Sequence, residues 1–136
     1  MKAGELTPYE LHGMQPVLAV PDVNATATYY RDKLGFSIDL IAGDPPVHAR
    51  VVADPTYSSP TVHIRFEPLK PGTTLTPCVY LWLHVGCGLD RLCELYRQRG
   101  VRVVDEPEDK PWGLRQFTIE DCNGYMLCFS AEAASA

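Results

Sequence analysis

The sequence predicts an α+β fold built from two βαβββ modules in tandem. Three observations carry this: one unit is written twice, each copy holds an amphipathic helical stripe that stops at a glycine, and alternating apolar and polar segments follow each helix. The first copy runs Val17-Leu18-Ala19-Val20, then Asp22, then a helical stretch closing on Tyr30-Arg31-Asp32-Lys33-Leu34-Gly35, then Phe36-Ser37-Ile38-Asp39-Leu40. The second runs Val79-Tyr80-Leu81-Trp82-Leu83, a helical stretch closing on Tyr96-Arg97-Gln98-Arg99-Gly100, then Val101-Arg102-Val103-Val104. Setting Gly35 on Gly100 gives an offset of 65 residues.

Residues 1–13 form an N-terminal extension, and 14–67 the first module. In its helix Val23, Ala27, Tyr30 and Leu34 keep a 3.6-residue stripe, with Asp22 or Asn24 as N-cap and Gly35 free to take the left-handed C′ conformation. Phe36–Ile41, Val47–Ala53 and Thr61–Glu67 alternate as strands. Residues 68–78, marked by Pro68, Pro71, Gly72 and Pro77, read as a linker. The second module, 79–130, repeats the pattern: Leu89, Leu92, Cys93 and Tyr96 make the stripe, and Val101–Val104, Arg115–Glu120 and Tyr125–Ser130 are strands. Asp105–Pro111 reads as a charged loop, Asp121-Cys122-Asn123-Gly124 as a tight hairpin with Asn-Gly suited to positive φ, and 131–136 as a frayed tail.

A chain of 136 residues is about one domain, and its 46% apolar and 21% charged content is globular. No run approaches the ~20 apolar residues of a membrane span, and Lys2, Glu5 and Pro8 interrupt any signal-peptide core. A net charge of −5 works against phosphate binding, so no nucleic-acid partner is expected, and the missing span leaves no membrane expected either. Five cysteines, an odd number without a C-x-x-C pair, signal neither a disulfide framework nor structural zinc. These features predict a soluble cytoplasmic protein.

Strand alternation separates a uniformly apolar face, to be covered by the helices, from a mixed face. The mixed face collects Gln15, Val17 and Ala19; His63, Arg65 and Glu67; Tyr80, Trp82 and His84; Gln116, Thr118 and Glu120; and Met126, Cys128 and Ser130. Exposed aromatics there mark a ligand cavity or a subunit contact. Arg65 suits an anionic or planar polar ligand, or pairs with Glu67 or Glu120. His63 either lines the cavity or bonds Glu67, Trp112 sits at the cavity mouth or caps the core, and Cys128 reads as a small buried hydrophobe.

Several runs in this chain resemble one superfamily: Gln15-Pro16-Val17-Leu18-Ala19-Val20-Pro21-Asp22, Tyr29-Tyr30-Arg31-Asp32-Lys33-Leu34-Gly35-Phe36, Gly100-Val101, Pro111-Trp112-Gly113-Leu114-Arg115-Gln116-Phe117 and Asp121-Cys122-Asn123-Gly124-Tyr125. They resemble the vicinal oxygen chelate superfamily of glyoxalase I, extradiol dioxygenases and the fosfomycin- and bleomycin-resistance proteins, the bleomycin-resistance-like branch most of all. The resemblance implies two modules forming a curved mixed sheet around a cavity that a homodimer completes. In the enzymes of that superfamily, four inward side chains hold a divalent metal. The matching positions here carry Gln15, His63, Tyr80 and Cys128, and the offset of 65 pairs Gln15 with Tyr80 and His63 with Cys128. The usual second histidine and the carboxylate are missing from this set, and hard cations favour carboxylate oxygen.

The first functional expectation is therefore a protein that sequesters an aromatic or cationic small molecule without a complete metal site, with Gln15, His63, Arg65, Tyr80, Trp82, His84, Trp112, Gln116, Met126 and Cys128 lining its cavity. The alternative is a lyase, isomerase or dioxygenase dependent on Zn²⁺, Ni²⁺, Mn²⁺ or Fe²⁺, with Gln15 and His63 as ligands and Cys128, Glu67 or Glu120 completing the set. A third is an interaction module that dimerises through the same aromatic face.

Overall fold

The computed structural model describes residues 14–53, 62–77 and 80–133; the N-terminal extension, residues 54–61 with the expected strand start at Thr61, Cys78, Val79 and the last three residues lie outside them. The first module holds β1 (Val17–Val20), α1 (Val23–Asp32), β2 (Ser37–Ala42), β3 (His48–Val52) and β4 (His63–Pro68). The second holds β5 (Tyr80–His84), α2 (Leu89–Gln98), β6 (Arg102–Asp109), β7 (Leu114–Glu120) and β8 (Met126–Glu132). This is the predicted pair of βαβββ units. Each makes its own four-stranded mixed sheet, β1-β4-β3-β2 and β5-β8-β7-β6, parallel only between its first and last strands.

Local chemistry starts and stops the helices as expected. Asp22 caps α1 by accepting from the Ala25 N–H at 2.9 Å, and Val23, Ala27 and Tyr30 are buried against the sheet. Leu89, Cys93 and Tyr96 do the same for α2. Gly35 at φ +83° and Gly100 at φ +79° take the left-handed conformation that turns each chain into its next strand. Of the described cysteines, Cys87, Cys93, Cys122 and Cys128 are all free.

Three expectations change. Residues 105–109, read as loop, continue β6, because two register breaks in the β6–β7 ladder, between Val103 and Asp105 and between Asp105 and Glu108, scramble the alternation that betrays a strand. The chain is not frayed from Ala131: that residue is 1% exposed and pairs with Arg115, and the strand runs on to Glu132. In the β7–β8 turn only Gly124 has positive φ. The turn is organised instead by Asp121, whose Oδ1 accepts from the Asn123 and Tyr125 N–H groups at 2.8 and 2.9 Å.

That aspartate also joins the modules, since its Oδ2 accepts the buried Tyr30 hydroxyl at 2.6 Å. The Tyr96 hydroxyl donates to Leu34 O at 2.9 Å, and the Tyr125 hydroxyl to Ala19 O at 2.7 Å. Around these bonds one apolar core runs through both modules, with Tyr30 against Phe36 and Phe66 in one half and Tyr96 against Phe117 and Phe129 in the other.

Candidate functional site

The helices cover one face of each sheet and leave the mixed face open, as strand parity requires: Leu18, Ile64, Phe66, Phe117, Leu127 and Phe129 are buried, while Val17, Tyr80 and Trp82 are about half exposed. The open face of the second sheet is an aromatic depression of about 280 Å³. Tyr80, Trp82 and Trp112 wall it, Gln116 and Thr118 form its floor, and Asp105 and Lys110 stand at its rim. Trp112, 60% exposed at the β6–β7 turn, therefore belongs to the cavity mouth and does not cap the core.

Each aromatic polar tip is tied down. The Trp112 Nε1–H donates to Gln116 Oε1 at 2.7 Å, the Trp82 Nε1–H donates to Ser130 Oγ, and Tyr80 Oη lies 3.1 Å from Thr118 Oγ1. What the rings offer a visitor is their π faces. Partial burial and the neighbouring Cys128 thiol hold the Tyr80 phenol above its ordinary pKa, although the Thr118 bond opposes them.

Trp82 also borders a smaller cleft of about 180 Å³ between the modules, shared with Met14, Pro16, His63 and His84. Of the expected site residues, Tyr80, Trp82, Trp112 and Gln116 line the depression and His63, Trp82 and His84 the cleft, while Gln15, Arg65, Met126 and Cys128 line neither. A larger groove, about 730 Å³, runs along α2 past Cys87, Arg91 and Leu95, and none of the expected residues lines it.

On the open face of the first sheet, Arg65 donates from Nε to Gln15 Oε1 and from a terminal nitrogen to His48 Nε2. Arg65 pairs with neither Glu67 nor Glu120: Glu67 lies 3.7 Å from His48 Nδ1, and Glu120 bonds Arg102 at 3.1 Å in the other sheet. Nor does His63 bond Glu67; its Nδ1 is buried without a partner among the described residues.

The uniform offset fails in the last two strands of each module. Along the ladders Ile38, Val51 and Ile64 form one row, and Val103, Ile119 and Leu127 the other. The step is 65 from Ile38 to Val103, 68 from Val51 to Ile119, and 63 from Ile64 to Leu127. The longer, bulged β6 adds three residues between the first and second rows, and the shorter β7–β8 turn removes five between the second and third. Gln15 still matches Tyr80, but His63 matches Met126, and Cys128 matches Arg65.

These residues do not fit a divalent cation. Among the described residues no three of His, Cys, Asp and Glu gather as a metal would need. The Gln15 oxygen is turned to a guanidinium, whose charge repels a cation, and the buried Cys128 thiol accepts from Gln116 Nε2 at 3.2 Å. His63 stands on β4 of the first sheet and Cys128 on β8 of the second.

Sequence reasoning missed Asp105, Lys110 and His48. The bulges hid Asp105, and Lys110 lay in what read as the same loop. For His48 the signal was present: alternation against Ala49 and Val51 places it beside Arg50 on the open face.

Two tandem βαβββ modules with helices outside and a half-polar aromatic face left open define a paired-module α+β protein. The chain belongs to the Glyoxalase/Bleomycin resistance protein/Dioxygenase superfamily, whose model matches residues 13–129. No curated protein sequence matches it. Among solved structures it is similar to a glyoxalase-related enzyme from Clostridium phytofermentans, with TM-score 0.78, 20% identity, and 93% of this chain and 99% of that one covered. It is similar too to TioX from Micromonospora sp. ML1, with TM-score 0.70, 21% identity, and coverage of 88% and 99%. TnmS3, an antibiotic binding protein from Streptomyces sp. CB03234, shares the fold with TM-score 0.70, 20% identity, and coverage of 92% and 100%. Among the described residues no helix is long and apolar enough to cross a membrane.

Proposed function

We propose that this protein sequesters a small aromatic or cationic molecule and needs no resident metal to do so. The observation that carries the reading is the aromatic depression: Trp82, Trp112 and Tyr80 have their polar tips fixed by Ser130, Gln116 and Thr118, so their faces are pre-positioned for stacking or cation–π contact. Asp105 at the rim adds a carboxylate that no cation among the described residues pairs with, and the net charge of −5 favours a cation. That TnmS3, which shares the fold, is an antibiotic binding protein supports a small-molecule ligand.

A volume of about 280 Å³ is just short of the ~300 Å³ at which drug-sized sites begin. The reading therefore includes a homodimer, in which a second copy covers the half-exposed Val17, Tyr80 and Trp82 and deepens the site. It also sets the protein in the cytoplasm, where the exposed Cys87 and Cys122 stay reduced.

The test is a titration with bleomycin-like glycopeptides and other cationic aromatic antibiotics, read by tryptophan fluorescence and calorimetry. Saturable quenching at micromolar concentration is expected for at least one compound. Silence across the panel removes antibiotic sequestration.

A further inference from the structure

We propose that the open face of the first sheet carries a second subsite, selective for an oxyanion such as a carboxylate and built on Arg65 and His63. Arg65 is a half-buried cation on β4 whose hydrogen bonds go to neutral acceptors, Gln15 Oε1 and His48 Nε2. Arginine only donates, so His48 Nε2 is the bare nitrogen and its proton sits on Nδ1, toward Glu67. Both carboxylates near Arg65 are engaged elsewhere: Asp39 takes the fork of Arg50 at 2.5–3.1 Å, and Glu67 faces His48. The remaining terminal nitrogen of Arg65 has no partner among the described residues. Asp39 lies close enough to feel the charge of Arg65 but no carboxylate among the described residues takes its donors, and an anion from outside gives the partly desolvated fork a charged acceptor.

His63 stands on the same face of β4, two residues earlier. Its Nδ1 is buried and has no partner among the described residues, and its Nε2 is not in that position. Orphaned donors are rarer than orphaned acceptors, which assigns the proton to Nε2, where it can be donated outward. Residues two apart on a strand are separated by about 7 Å. A carboxylate on Arg65 with a ring bearing a distal hydroxyl spans that distance and brings an acceptor to His63. This subsite does not rest on the aromatic depression of the second sheet, so the two readings fail separately.

The test compares para-hydroxybenzoate with its neutral isostere para-hydroxybenzyl alcohol at low salt, following the Arg65 Nε–H and His63 ring signals in proton–nitrogen correlation spectra. The expected result is binding at least about tenfold tighter for the carboxylate. Arg65→Gln erases that preference, and Arg65→Lys keeps part of it, because lysine has the charge without the fork. The same spectra report whether each variant is folded; if Arg65→Gln is not, the wild-type comparison and Arg65→Lys decide. Equal affinities, no carboxylate binding at millimolar concentration, or a preference that survives Arg65→Gln overturns the proposal.

Discussion

Trp82, Trp112 and Tyr80 are large apolar side chains left between 53% and 60% exposed, which core packing does not require and ligand contact explains. Their removal separates binding from stability. Trp112→Ala takes one wall from the depression and frees Gln116 Oε1, but it opens no hole in the core. Its unfolding free energy is expected to stay within about 1 kcal/mol of wild type by urea denaturation, while affinity for an aromatic ligand falls at least about tenfold. A binding loss matched by an equal collapse in stability would return Trp112 to a structural role. Cys128 is the opposite case: it is wholly buried beneath Gln116 although strand parity puts it on the open face. Parity assigns a side chain to a face and says nothing of what lies over it; residue type does, and a cysteine without a basic neighbour in sequence reads as the small buried hydrophobe that Cys128 is.

The elements were legible wherever periodicity survived. Asp22 starts α1 and a glycine follows the end of each helix where the sequence places them, whereas α2 starts at Gly88 without a side-chain cap. In β1 and β4 the buried members are those that alternation selects, but in β7 and β8 Gln116, Thr118, Cys128 and Ser130 on the opposite face are buried as well. Reading failed where a bulge broke the period, in β6, and where a single offset was carried across loops of unequal length, which shifted the partner of His63 from Met126 to Cys128. Hydrogen bonds between distant segments, such as Tyr30 to Asp121, left no periodic trace at all. The α1 cap gives a prediction at this scale. Asp22 supplies both the side-chain acceptor for Ala25 N–H and the carbonyl that takes the Thr26 hydroxyl at 2.8 Å. Asp22→Ala keeps the carbonyl and loses the carboxylate, so a drop of about 1 kcal/mol in stability is expected by denaturant titration, with Asp22→Asn recovering most of it.

At the scale of the whole molecule, the two modules are held together by a shared core and by tyrosine hydroxyls that cross between them. Burial, and then the charge of Asp121, push Tyr30 well above its ordinary pKa of 10.0. Burial does the same to Tyr96, against the opposing pull of Arg99, and raises Tyr29 to about 12. Above pH 10 the unfolded chain releases these protons while the folded one keeps them, so the unfolded state binds fewer protons and stability falls as pH rises. Below pH 10 the contribution is complete. Each retained proton steepens the fall by up to about 1.4 kcal/mol per pH unit. Cys93 is shifted in the same direction by burial, so the tyrosine share is read as a difference between proteins. The pair Tyr30→Phe and Tyr96→Phe should be less stable than wild type at pH 7, because Asp121 and the Leu34 carbonyl each lose a buried donor. Between pH 10 and 12 the doubly substituted protein should lose stability more slowly than wild type in urea titrations. Parallel pH slopes for the two would show that these hydroxyls are not what alkali breaks between the modules.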